Sequence, residues 1–199
     1  MCVIRKTDRK TKMSKIFCYL ILVLTVTSCR DENISNEKFE RKFVKNKYSI
    51  LIPETLNKTT GLNRHTTFEY ENLKDDLYII IMDQSLNEFY KAISRKKYDA
   101  TTDLEGYYKV VLEHFREETD LKKFKVYDEI FELDKVDKKI TFTMTGIDTT
   151  DNYKVFYRYS IIESKTSYYQ IMSWTNQKNA KKLIDKMNKI INSFKVEEN

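Results

Sequence analysis

Glycine, proline, histidine and cysteine are all scarce in this chain, and each scarcity removes a class of function. Gly61, Gly106 and Gly146 stand far apart among 199 residues, so no glycine-rich loop exists to cradle a phosphate. With one proline, Pro53, there is also no material for a long flexible linker. The two histidines, His65 and His114, show no HExxH spacing and no neighbouring cysteine, which leaves a zinc site without ligands. Cys2, Cys18 and Cys29 all fall in the N-terminal segment, and residues 30–199 hold none. The body therefore offers no disulfide, thiolate metal site or cysteine nucleophile. No serine sits in a GxSxG setting, and the Asp148–Asp151 loop lacks the glycine and downstream glutamate of a calcium loop. No catalytic residue, cofactor or metal is expected.

The charge balance narrows the partners. The pI near 9.0 would ordinarily raise nucleic-acid binding. Arg5, Lys6, Arg9, Lys10, Lys12 and Lys15 face only Asp8 in residues 1–29, and setting these aside leaves 30 basic against 29 acidic residues. The excess is a property of the leader, and no basic stripe interleaved with aromatics remains for a phosphate backbone.

The leader itself is the most informative stretch. Lys12 and Lys15 bracket a basic end, and Ile16 to Val26 form an uncharged run of 11 residues, too short to cross a bilayer as a helix. Val26-Thr27-Ser28-Cys29 follows at once. This resembles a lipobox, with an aliphatic residue three before the cysteine and small residues between. The resemblance implies a bacterial lipoprotein: residues 1–28 a signal peptide, Cys29 the acylated first residue of the mature chain. Two or three acyl chains hold a protein stably on a membrane, where one does not. Met13 is a second candidate start, because residues 13–29 already make a complete leader. An uncleaved signal anchor, or a signal peptide with an incidental cysteine, are the alternatives. From Cys29 to about Asn46 the sequence is polar and is expected to act as a tether. Position 30 is Arg rather than Asp, and Asp31-Glu32 follow. That pattern resembles outer-membrane and surface-export signals of some Gram-negative lipoproteins; which membrane face is left open.

The body, residues 47–197, reads as one α+β domain. Residues 47–53 (KYSILIP) end on proline as an opening strand would. Residues 66–73 alternate through Phe68, Tyr70 and Asn72, and Leu77–Met82 is apolar on both parities, as a central strand covered on both faces is. Leu86, Phe89, Tyr90 and Ile93 have helical spacing after Ser85. Leu104, Tyr107, Tyr108, Val111, Leu112 and Phe115 form a second stripe, with Gly106 an unfavourable residue inside its first turn. The period then becomes two. Residues 123–133 alternate with a slip near Asp128 that predicts a bulge. Residues 139–147, 153–161 and 167–174 complete an antiparallel meander. Ala180, Leu183, Ile184, Met187, Ile190, Ile191 and Phe194 make the clearest helix, with Asn176 as its cap. A sheet of six or seven antiparallel strands with helices packed on it is predicted.

This order, from KYSILIP through a hairpin, helices and a meander ending YYQIMSWT to a helix running into IINSFK, resembles the PsbP-like fold family over about residues 44–197. Its markers here are Pro53, the aromatic last strand and Ser193-Phe194-Lys195; the tryptophan usual after the first proline is absent, with Leu56 in its place. The family includes extrinsic photosystem II subunits and many bacterial lipoproteins, which act mainly in binding or assembly, so the resemblance implies no catalytic residues.

Two functional readings follow. The first is a membrane-anchored, non-enzymatic binding or assembly module of the cell envelope, taking an envelope protein or small ligand. Its candidate contact patch is Tyr157, Tyr159, Tyr168 and Trp174, since amphipathic rings suit contact surfaces, although cross-strand packing uses the same residues. The alternative is an envelope hydrolase whose carboxylates the fold brings together, with Asp75/Asp76, Glu117/Glu118 and Asp148/Asp151 the nearest groups in sequence.

Overall fold

Among the described residues, β-branched and aromatic residues in alternating runs build ten strands, and three amphipathic segments build the α-helices. The computed structural model describes residues 37–66, 68–117, 121–133 and 138–197. The leader, the motif at 26–29 with Cys29, and the first part of the tether lie outside the described residues, as does Glu118.

In chain order the elements are β1 (Phe39–Val44), β2 (Tyr48–Pro53), β3 (Asn57–Lys58), β4 (Phe68–Asn72), β5 (Leu77–Ser85), α1 (Leu86–Ser94), α2 (Leu104–Glu117), β6 (Leu121–Glu132), β7 (Lys139–Asp148), β8 (Lys154–Glu163), β9 (Ser167–Asn176), α3 (Ala180–Asn192) and β10 (Lys195–Val196). Seven strands form one antiparallel sheet in the order β3-β4-β5-β9-β8-β7-β6. The architecture is α+β, as the periodicities predict.

Two expectations change. KYSILIP does not join the large sheet; β2 is the middle of a separate three-stranded sheet, β1-β2-β10. The polar stretch read as a tether to about Asn46 also holds a strand, β1, which pairs with β2 from Phe39↔Pro53 to Val44↔Tyr48. Charged residues interrupt β1 in sequence, but its neighbours satisfy them. Arg41 Nη1 donates to Ser49 Oγ at 3.0 Å and to the Ser193 carbonyl at 3.1 Å, and the Lys189 ammonium lies 3.7 Å from the Phe39 ring centroid. Ser193 also accepts the Leu51 N–H on its Oγ at 2.8 Å. The Ser193-Phe194-Lys195 segment is thus the seam between α3 and the small sheet.

With glycine scarce, Asn and Asp take the tight turns. Asn46, Asp76 and Asn152 adopt the left-handed conformation at φ 57°, 55° and 58°, where a short polar side chain is tolerated. Asp128 does so inside β6 at φ 53°, and the β6–β7 register shifts between Tyr127 and Ile130, which is the predicted bulge. A second shift lies between Lys122 and Lys125. Both irregularities break up the long edge strand against pairing with another chain. Asn176 caps a short 3₁₀ turn ahead of α3, its side chain accepting from Lys178 N–H.

The large sheet is covered on both faces. α3 buries Leu183, Met187, Ile190 and Ile191 against Ile79, Ile171 and the apolar side of β2. On the other face α1 and α2 bury Phe89, Leu104, Tyr107, Tyr108 and Phe115 against Phe142, Tyr159 and Tyr168. Among the described residues, no helix is long and apolar enough to cross a membrane.

Candidate functional site

On the face under α2 the packing does not close. A cavity of about 460 Å³ lies between that helix and the sheet. Its floor follows from strand register, because Met82 pairs with Gln170 across β5–β9 and Tyr159 with Met172 across β8–β9. Tyr107, Val111 and Phe115 of α2 form one wall, with Glu113, His114 and Glu117 at its rim; Asn63 and His65 line the opposite side.

A hydrogen-bonded chain runs through the floor. The Tyr159 hydroxyl donates to Gln170 Oε1, and Gln170 Nε2 donates to the Tyr107 oxygen at 2.7 Å. Whichever way the amide is turned, one of the two phenol hydrogens is left without an acceptor among the described residues. Burial raises the pKa of Tyr107 and Tyr159 well above the usual phenol value and that of Tyr157 to about 12. These groups are neutral donors at physiological pH.

The ring system behind the cavity fixes this chain in place. Tyr107 stacks on Tyr168 with centroids 4.1 Å apart, and Phe89 meets both edge-on at 4.9 and 5.6 Å. The Tyr168 hydroxyl donates to the Thr102 carbonyl at 3.1 Å. α2 is seated by its first turn, where Asp103 Oδ1 accepts Gly106 N–H at 2.8 Å and the Thr101 hydroxyl at 2.7 Å. A Cβ on Gly106 would stand 2.0 Å from the Thr101 carbonyl oxygen. The glycine that weakens the helix in sequence terms permits this close approach.

The four candidate aromatics therefore have different places. Tyr159 and Tyr168 are both fully buried, Tyr157 and Trp174 half-buried. Tyr157 and Tyr159 line the cavity, whereas Tyr168 supports it from behind. Trp174 stacks on Tyr78 at 5.2 Å and leans on Tyr157 at 6.3 Å. The carboxylates singled out in sequence hold turns instead. Asp76 accepts the Tyr153 hydroxyl at 2.9 Å and Asn176 N–H at 3.2 Å, and Asp75 pairs with Lys182 at 3.1 Å. Asp148 and Asp151 accept Thr150 and Tyr153 N–H at 2.8 and 2.9 Å. Glu117 does reach the cavity rim, beside Glu113 on the same helix. Both histidines are exposed at the rim, and the described residues contain no cluster of His, Cys, Asp or Glu that could hold a metal.

Gln170, Gln84 and the two methionines are not prominent in sequence. The signal for Gln170 is its parity: it shares a strand face with Tyr168 and Met172, where an apolar residue would be expected.

The chain is thus an α+β protein of PsbP-like fold. Among solved structures it is similar to cyanobacterial PsbP (CyanoP) from Synechocystis sp. PCC 6803, with a TM-score of 0.57 and 14% identity over 86% of this chain and 99% of that one. PA94, a protein of unknown function from Pseudomonas aeruginosa, aligns at a TM-score of 0.45 and 10% identity over 77% of this chain and 93% of its own. No protein-family model matches the sequence, and no curated protein is similar to it.

Proposed function

We propose that this protein is a lipid-anchored, non-enzymatic binding module of the bacterial cell envelope. Cys29 is the acylated residue, and the cavity under α2 is the ligand site. The cavity carries the binding part of the proposal. Its volume of about 460 Å³ falls in the range of roughly 300–1,000 Å³ common for small-molecule sites, and it has their usual make-up of aromatic walls with a few convergent polar groups. None of the described residues lining it is lysine or arginine, and Glu113 and Glu117 stand at its rim. The ligand class it fits is an uncharged or cationic ring compound with a hydrogen-bond acceptor for the open phenol.

The hydrolase alternative would rest on Glu113 and Glu117, but these lie four residues apart on one wall, whereas an acid and base pair must flank the bond from two sides. The ligand reading is tested by a thermal-shift screen of neutral and cationic ring compounds against wild type and Met172→Trp, which fills the cavity. Compounds that stabilise wild type should lose their effect in the variant. A screen without hits, or hits that Met172→Trp retains, would overturn it. Anchoring is tested separately with an alkyne fatty acid: labelling in wild type should vanish in Cys29→Ala, and equal labelling would refute it. Protease treatment of intact cells then reports whether the domain faces outward from the outer membrane.

A further inference from the structure

Arg158 is the one charged residue in the run Val155–Ile162, and β8 places it on the sheet face away from the cavity. Cross-strand register puts it in a row with Thr143 and Ser173, within a strip where Thr141, Thr143, Thr145, Ser160 and Ser173 are all buried. Arg158 itself is only 8% exposed. Its Nε donates to Asn188 Oδ1 of α3 at 2.9 Å and its Nη1 to Thr143 Oγ1 at 3.0 Å. Both partners are neutral. Among the described residues no carboxylate lies within ion-pairing distance of it, and its side-chain hydrogen bonds run through Nε and Nη1.

That arrangement leaves part of the guanidinium available to a further acceptor in the groove it lines. A guanidinium has five donors in a rigid fork, and two are used here to orient it. Removal from water disfavours the charged form and lowers its proton affinity, an effect the more distant Asp128 opposes. A buried cation without a counter-charge is rare in folded proteins because the lost hydration is not replaced. Arg158 lines a groove of about 540 Å³ between β6, β8 and α3, whose apolar surface comes from Ile130, Phe156, Ala180 and Ile184. Ile130 is 50% exposed there, an aliphatic residue on an edge strand with no cover of its own.

We propose that this groove binds a monocarboxylate carrying a short apolar chain, its carboxylate on the open edge of the Arg158 guanidinium and its chain on Phe156, Ile130 and Ile184. Two neighbouring N–H groups match the two oxygens of a carboxylate. Asp128 and Glu129 also line the groove, with Lys181 as the other cation. This near balance disfavours a dianion such as phosphate. The proposal is independent of the cavity under α2.

The test is isothermal titration of the whole chain in non-ionic detergent with hexanoate, against hexanol (chain without charge) and acetate (charge without chain). Hexanoate should bind about tenfold tighter than either, the worth of a hydrogen bond to a charged group. Arg158→Gln should bring hexanoate to the level of hexanol and leave hexanol unchanged. Asp128→Asn should tighten hexanoate, because it removes the competing carboxylate. Equal binding of hexanoate and hexanol, no binding of hexanoate, or unchanged binding by Arg158→Gln would each overturn the proposal. If circular dichroism shows that Arg158→Gln does not fold, Ile184→Trp decides instead: it fills the groove with the charge in place, and undiminished hexanoate binding refutes the site.

Discussion

The two faces of the seven-stranded sheet are covered by helices of similar length, yet among the described residues they pack differently: α2 lies over a cavity of about 460 Å³, and α3 over a closed seam with a groove at its β6 edge. Under α3, the aliphatic chains of Leu183, Met187, Ile190 and Ile191 pack on a mixed surface that includes Ile79, Ile171, Phe156 and Tyr169, and Met187 and Ile190 are wholly buried. Under α2 the stripe has the same helical spacing but mixes Leu104, Val111 and Leu112 with the rings of Tyr107, Tyr108 and Phe115, facing a glutamine on the sheet. Aliphatic side chains adapt to fill space at crystal-like density. Rigid rings locked by stacking and hydrogen bonds hold a space open instead. The centre of the first face reads as the structural base of the domain, with a groove only at its β6 edge, whereas the second opens a cavity under the helix itself.

The contrast is broken or upheld most directly by one substitution made on each face. Met187 under α3 and Met172 on the cavity floor are 0% and 9% exposed. Met187→Ala is expected to cost about 2–5 kcal/mol, the range for a large-to-small change in a closed core. Met172→Ala is expected to cost about 1–2 kcal/mol, because part of its surface already faces empty space and fewer contacts are lost. Urea denaturation of both measures the difference, and equal losses would show that the cavity face is as tightly packed as the other.

Gly106→Ala comes next. Alanine is the better helix former by about 1 kcal/mol, so an exposed glycine in a first turn would gain from the change. Here the new methyl meets the Thr101 carbonyl carbon at 2.6 Å as well as its oxygen, and backbone must move. A net loss of about 1–3 kcal/mol is expected, as for other forced insertions into packed sites. Unfolding curves that show a gain would mean the segment before α2 is not held where the cavity requires it.

These two cases show what periodicity conveys and what it does not. The stripe of α3, the meander and the Asp128 bulge are all legible, because each is a local pattern of apolar residues or its interruption. Leu77–Met82 reads correctly as covered on both faces, since both parities are apolar. Thr141, Thr143 and Thr145 alternate with Ile140, Phe142 and Met144, yet both sets are buried. Periodicity reports which residues share a face, not whether another element covers it. β1 is hidden for a related reason: its Arg41 is met by Ser49 and Ser193, one near and one far in sequence, and its Glu40 and Lys42 pair with each other. The cavity and Arg158 depend on which rows the register aligns, and no single strand carries that information.

Tyr107→Phe tests the floor with a smaller change. Removing the hydroxyl takes the acceptor from Gln170 Nε2 while the ring keeps its stack on Tyr168. A loss of about 1 kcal/mol is expected, near the net worth of one hydrogen bond, with water in the cavity free to replace the partner. Ring compounds found in the thermal-shift screen should lose more affinity than the protein loses stability. The reverse order would make the Tyr159–Gln170–Tyr107 chain a purely structural device.

The smallest effect lies at the anchor of α2 and depends on pH. The Thr101 hydroxyl and then the Gly106 N–H hold the pKa of the Asp103 carboxyl below the usual carboxylate range. Because the folded-state value is the lower one, this contribution to stability is fully present above the unfolded value of about 3.9 and is lost as pH falls through the folded value. Asparagine is nearly as good a cap but carries no charge. Asp103→Asn should therefore cost only about 0.5 kcal/mol at neutral pH, and the gap from wild type should close in acid. Thermal melts of the two proteins across that range measure it. A gap that stays constant as pH falls through the acid range would mean that geometry rather than charge seats this turn, and that the wall of the cavity is held by Gly106 and Thr101 alone.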